Sequence, residues 1–324
     1  MIAVGIIANP ASGKDIRRLV AHGSVFDNHE KANIVGRVLL GLDSVGVERA
    51  WIMPDSFGIG ARALDGLRLD GLRVSVLDMP VTFTSTDTQR AAARMVDDGV
   101  GCLITLGGDG TNRLVAGVGA NVPLMPISTG TNNVFPTMVE GTLAGIAAGL
   151  VAGGVAAVAV RRMPLLEIHS GGSPGTVALV DAAVCDERFI GARALWDPSG
   201  IVEVVLARVE AGSIGLSSIG AHLGLASPVH LRMGVGGRRV SAPIGPGLIA
   251  QLCVTEQRLL EPGDQVRICQ PRACTLALDG EREIALRGGA EVCVRLRAEG
   301  PRVVDIRQAL SIAARAGVFV GESG

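Results

Sequence analysis

The chain has 324 residues, 48% of them hydrophobic and 19% charged, with a net charge of −1. That composition belongs to a packed globular protein with length for one large or two ordinary domains, and it excludes a disordered chain. A near-zero charge gives no electrostatic reason to expect nucleic acid. Six cysteines without a CxxC pair or His/Cys ligand spacing argue for structural thiols, not a metal centre.

Ile2–Ala8 reads as a first buried strand, with no basic n-region of the kind a signal peptide carries. Asn9-Pro10-Ala11-Ser12-Gly13-Lys14 follows, and it is not a Walker A loop, because the required upstream glycine is absent and Asp15 replaces Ser/Thr. Lys14, one of two lysines with Lys31, is placed for a phosphate contact or for solvent. The polar stretch 21–33 lacks periodicity and reads as a surface loop or a lid over a substrate. His22 and His29 within it have no partner motif.

Ile34, Val38, Leu39 and Leu42 then mark an amphipathic helix, 47–53 a strand, 61–67 a helix and 72–77 a strand. Thr86 is the expected cap of a helix running through Met95 and closing at Gly99. The next unit is the most informative. Cys102–Thr105 reads as a buried strand ending at Leu106, Gly107-Gly108-Asp109-Gly110 as a tight turn, and Thr111 as the N-cap of the following helix. Such a turn aims backbone N–H groups and a helix N-terminus at the carboxyl edge of a sheet, where anions bind. An acid there, Asp109, is costly beside phosphate unless it meets a metal ion or a hydroxyl proton. A further strand, 123–127, opens into Ser128-Thr129-Gly130-Thr131-Asn132-Asn133, where Thr131 and Asn132 can bond a base, ribose or phosphate. The uncharged stretch 141–160 is long enough to span a bilayer, yet its Ala/Gly content and Gly153-Gly154 argue for a buried helix ending near Ala152 and a strand from Val155.

This alternation predicts a doubly wound, mostly parallel α/β sheet over 1–153. Beyond it, short runs at 155–163, 177–185, 202–209, 229–233, 248–254, 266–269, 275–278 and 292–297 predict an all-β domain over 154–300. A helix at 305–316, within a terminal segment 301–324, is expected to return to the first domain.

The GGDGT sequence, with Asn9-Pro10-Ala11-Ser12-Gly13, Gly130-Thr131-Asn132-Asn133 and Asp279-Gly280-Glu281 in the same order, resembles the superfamily of NAD kinases, diacylglycerol kinases and sphingosine-type lipid kinases. The segments SVFDNHEKANIV and FIGARALWDP make it most similar to the acetoin-catabolism protein X branch of ATP-NAD kinases. The resemblance implies ATP and Mg²⁺, an NAD kinase-like fold, and a small-molecule acceptor. It gives catalytic roles to Asp109 and Glu281, and a metal to Asp109. Nucleotide contacts fall to Asn9, Ser12, Gly13, Gly107, Gly108, Gly110, Thr111, Gly130, Thr131, Asn132 and Asp181. Two positions depart from the pattern: Asn133 stands where the lipid kinases have Asp, and Val180-Asp181 stands where NAD kinases hold the dinucleotide with Asn-Glu. Ser213–Ala221 lies near the NAD kinase GSTAY stretch, without its Tyr, and reads as a substrate loop. The expected reaction is NAD⁺ to NADP⁺. The alternatives are phosphorylation of a lipid or small polyol, acetoin-related alcohols included, and an inactive nucleotide-binding regulator. A cytoplasmic homo-oligomer that neither inserts in membranes nor binds nucleic acid is expected.

Overall fold

The computed structural model describes residues 1–13, 26–119, 121–171, 175–186 and 198–320, without the side chains of Arg282 and Glu283. Lys14, His22 and most of FIGARALWDP lie outside the described residues.

In the first half, strands β1 (Ala3–Ala8), β2 (Arg49–Ile52), β3 (Arg73–Val76), β4 (Cys102–Gly107) and β5 (Leu124–Ser128) alternate with helices α1 (Asn28–Asp43), α2 (Ile59–Leu64), α3 (Ser85–Asp97), α4 (Asp109–Gly119) and α5 (Gly141–Ala152). β1, β4 and β5 are buried along their whole length, as central strands covered on both faces should be. The parallel order β3-β2-β1-β4-β5 is completed by two strands from much later in the chain, β17 (Arg302–Val304) beside β5 and β6 (Val160–Arg162) at the edge. α1, α2, α5 and the last helix, α7 (Ile306–Arg315), share one apolar core with the sheet, and residues of α3 and α4 form the core on the other face.

The rest is an antiparallel sandwich. A six-stranded sheet has the order β12-β11-β10-β9-β14-β15: β9 is Asp181–Cys185, β10 Ile201–Leu206, β11 Val229–Gly245, β12 Leu248–Leu259, β14 Cys274–Leu278 and β15 Glu281–Leu286. It packs on a four-stranded sheet, order β13-β16-β7-β8, made of β13 (Gln265–Cys269), β16 (Glu291–Arg297), β7 (Leu165–Ser170) and β8 (Thr176–Ala178). Leu166, Ile168 and Val294 meet Val184, Val205 and Leu276 between them, while the short helix α6 (Ser217–His222) covers the other face of the larger sheet. The expected combination of a parallel α/β region and an antiparallel β-rich region is what the chain forms.

Several local expectations change. α1 begins at Asn28, because Asp27 accepts the Glu30 N–H as N-cap, so 28–33 is helix and not loop. α3 is capped by Thr84, which accepts from the Thr86 N–H, and not by Thr86. After α5 the chain turns through 153–158 before β6, which joins the first sheet. The run 177–185 is two strands broken at Leu179-Val180, and β7 and β15 lie outside the predicted runs. Of the six cysteines, three are buried, while Cys253 and Cys293 are half-buried and Cys269 is exposed. No helix among the described residues is long and apolar enough to cross a membrane.

Candidate active site

Three turns converge at the carboxyl edges of β1, β4 and β5. In the first, Gly13 takes φ 78°, which favours glycine. Asn9 is spent on the scaffold: its amide donates to the Thr111 hydroxyl at 2.9 Å, and its side-chain oxygen caps Ala11 N–H. Ser12 Oγ donates to the Asn9 carbonyl and meets Thr129 Oγ1 at 3.0 Å, tying this turn to the one after β5. Beneath them lies Lys31, fully buried, whose ammonium donates to the carbonyls of Asn9, Pro10 and Ser12 at 2.9, 3.3 and 2.7 Å and to Asn28 Oδ1 at 3.0 Å. The N–H groups of Asn9, Ala11 and Ser12 are also bonded, to the Leu106 carbonyl, the Asn9 side chain and the Asn9 carbonyl, so this loop is a closed brace.

Gly107 and Gly108 of the GGDGT turn answer to close approach, while Gly110 meets only ordinary contacts. None of Gly107, Gly108 and Gly110 has positive φ. A Cβ on Gly107 would lie 2.5 Å from Thr111 Cβ, and one on Gly108 would lie 2.7 Å from Asn133 Oδ1. The helix starts at Asp109 itself, so Thr111 is not its cap. Asn112, fully buried, locks the turn by accepting from Thr105 Oγ1 at 2.6 Å and donating to the Gly108 carbonyl at 2.9 Å.

Asp109 is buried, and its carboxylate accepts hydrogen bonds from backbone amides. Val134 N–H approaches both oxygens at 3.1 Å, and Phe135 N–H donates to Oδ1 at 2.7 Å. The third turn is thereby hung from the acid of the second. Asn133 supports it, donating to Ser128 Oγ at 2.8 Å. Arg208, just beyond β10, stacks its guanidinium 5.3 Å from the Phe135 ring and so braces the same turn from the β-rich side. Thr131 is exposed, and Asn132 lines the cleft beside Asp109.

The opposite wall is the DGE turn. Asp279, at φ 52°, is buried and gathers the broken run at Leu179-Val180: its Oδ1 accepts their N–H groups at 2.9 and 2.8 Å. Its other oxygen faces Arg113 Nε of α4 at 3.6 Å. Burial pushes its proton affinity well above the ordinary carboxylate range, opposed by Arg113 and reinforced by Asp181 and Asp109. Asp181 accepts the Gly280 N–H at 3.3 Å, and Glu281 lies close enough to α4 that a Cβ on Gly110 would be 3.6 Å from its carboxylate. An open cleft runs between the walls, lined by the carboxyl-bearing Asp109, Asp181 and Asp279 and by the apolar Val134, Ile214, Leu216 and Ile244. Of the expected residues, Asp109, Asn132 and Asp181 line this cleft, while Asn9, Ser12 and Thr111 bond the turns to one another. Lys31, Asn112, Arg113 and Arg208 were not legible as functional, because each is a lone polar residue whose partners are distant in sequence.

Among the described residues no three His, Cys, Asp or Glu side chains group so as to hold a metal ion. A Mg²⁺ brought by a nucleotide needs only one or two carboxylates beside the phosphates, which Asp109 and Asp181 would supply from the cleft lining, and it would neutralise charge on the transferring group.

A glycine turn, a buried acid and a second acidic turn facing it across a cleft, on a parallel sheet joined to a β-sandwich, define a protein of the NAD kinase type. Residues 4–155 match the ATP-NAD kinase N-terminal domain, and 164–299 match the acetoin catabolism protein X C-terminal domain. Acetoin catabolism protein X of Cupriavidus necator is 40% identical over 335 aligned residues, covering 96% of this chain and 92% of that protein. The chain belongs to the acetoin catabolism protein X family. Solved structures with a similar fold include yeast NADH kinase complexed with NADH (14% identity, TM-score 0.49, all of this chain and 89% of that one). A diacylglycerol kinase from Bacillus anthracis (11%, 0.47, 93% and 96%) and an NAD kinase from Archaeoglobus fulgidus in complex with ATP (11%, 0.44, 99% and 100%) are others.

Proposed function

We propose that this protein is an ATP-dependent kinase that phosphorylates a hydroxyl of a small molecule, with NAD⁺ as the acceptor suggested first by its N-terminal family match. One observation carries the reading. Asp109 and the Asp279-Gly280 turn, 170 positions apart in sequence, line the same cleft beside turns built to present backbone N–H groups. Phosphoryl transfer asks the protein mainly for positioning and electrostatics. ATP phosphates rest on the turns at 107–110 and 130–131, braced by the loop at 9–13. Asp109 orients the acceptor hydroxyl, whose oxygen attacks the γ-phosphorus while ADP leaves, and Glu281 is the second acid available for the released proton.

A smaller alcohol is the second reading, and the cleft itself favours it. Val180, buried where the resemblance calls for a dinucleotide-binding amide, and the wall of Ile214, Leu216 and Ile244 suit a short hydrocarbon flank better than a nicotinamide dinucleotide. A role in acetoin catabolism, taken from the relative's name, agrees with such an acceptor.

The test is labelled ATP and Mg²⁺ offered with NAD⁺, diacylglycerol, acetoin and small diols, for wild type and Asp109→Asn. Transfer to one acceptor is expected, falling roughly a hundredfold or more in the variant, together with an ATP-dependent rise in melting temperature in both. ATP binding without transfer to any acceptor would leave a nucleotide-binding regulator. No ATP-dependent shift in the wild type would end the kinase reading.

A further inference from the structure

The geometry points to Arg113 as a positioning residue that sets the spacing between the two acidic walls of the cleft. This inference rests on the kinase reading for its consequence, not for its structural basis. Arg113 follows Asp109 by four residues on α4, so the two side chains leave the same face of the helix one turn apart. Its side chain is only 10% exposed and crosses to the DGE turn, where Nε lies 3.6 Å from Asp279 Oδ2, an oxygen with no hydrogen-bond partner of its own. The remaining oxygen of Asp279 holds the N–H groups of Leu179 and Val180, and the next two residues are Gly280, lining the cleft, and Glu281, beside Gly110. A guanidinium rooted in the helix that begins with Asp109 therefore grips the turn that carries Glu281. On top of burial, Asp181 and Asp109 both raise the proton affinity of Asp279, and the guanidinium opposes them. Truncating one partner of such a buried pair leaves a charge uncompensated, whereas removing both does not.

Three variants separate this role from simple support: Arg113→Lys, Arg113→Met and the double variant Arg113→Met with Asp279→Asn. Hydrogen exchange at Leu179, Val180 and 279–281 is read with thermal unfolding, and kcat is read apart from KM for ATP on whichever panel acceptor reacts. Arg113→Met is expected to speed exchange at those amides by about tenfold. It should lower kcat roughly a hundredfold, the scale of a misplaced reacting group, with little change in KM for ATP. Arg113→Lys should recover part of both. The double variant should recover melting temperature without recovering kcat, and it serves in place of Arg113→Met should that protein not fold. Unchanged exchange in Arg113→Met overturns the coupling, and recovery of kcat in the double variant overturns the positioning role. A wild type that transfers to no acceptor defeats the kinase reading alone, and exchange still decides whether Arg113 ties the walls together.

Discussion

Among single residues, Asp279 combines the most opposing effects. It adopts a left-handed backbone, lies buried, and holds its proton more tightly than an exposed carboxyl because burial outweighs the pull of Arg113. A carboxyl whose folded proton affinity exceeds its unfolded one adds stability in full below the ordinary carboxylate range. That contribution is lost as pH rises through the folded value. Asp279→Asn has nothing to titrate, so the wild-type-minus-variant difference in unfolding free energy should decline with rising pH across that window. Urea unfolding at a series of pH values measures it, and a flat difference would mean that Asp279 titrates alike folded and unfolded.

Elements pack here through the absence of side chains as much as through their presence. α1 and α5 approach so closely that a Cβ on Gly145 would stand 2.2 Å from the Val38 carbonyl, and one on Gly41 would stand 2.3 Å from that of Thr142. This contact explains the uncharged Ala/Gly stretch that has the length of a membrane span: its small residues face a neighbouring backbone, and Ala144, Ala147 and Ala148 are fully buried. Gly145→Val has to push the helices apart, at a cost of about 1–3 kcal/mol by the usual scale of overpacking. Gly117→Ala in α4, with open space at its Cβ, should instead gain up to about 1 kcal/mol from helix propensity. Denaturant midpoints of the two variants should move in opposite directions. A neutral Gly145→Val would mean that the two helices separate freely.

At the scale of the molecule, the last helix matters beyond its length. Ala309 and Ala313 of α7 are fully buried in the core that holds α5, and Asp305 bonds Arg161 at 2.7 Å. Deleting residues 305–324 should therefore lower the melting temperature of the α/β region as well as the whole. Equal melting of the shortened chain would show the tail to be peripheral. Much of this arrangement was readable beforehand: continuous apolar runs gave the central strands, and GGDGT marked the sheet edge where the cleft opens. Other features were not. Lys31 and Asn28 lie one turn apart on a helix face that meets a polar loop, so hydrophobic periodicity passes over them. Asp279-Gly280 is locally indistinguishable from a hairpin turn, and only its partners across the cleft, Leu179, Val180 and Arg113, give it meaning.

The pairing of Val303 with Leu124 places the seam of the first sheet nearly 180 residues apart in the order of synthesis. β5 is made long before the strand that becomes its outer neighbour. The α/β half therefore waits, its sheet edge open, while the sandwich emerges and folds. So late a closure predicts slow maturation and exposes the nascent chain to chaperones during that interval.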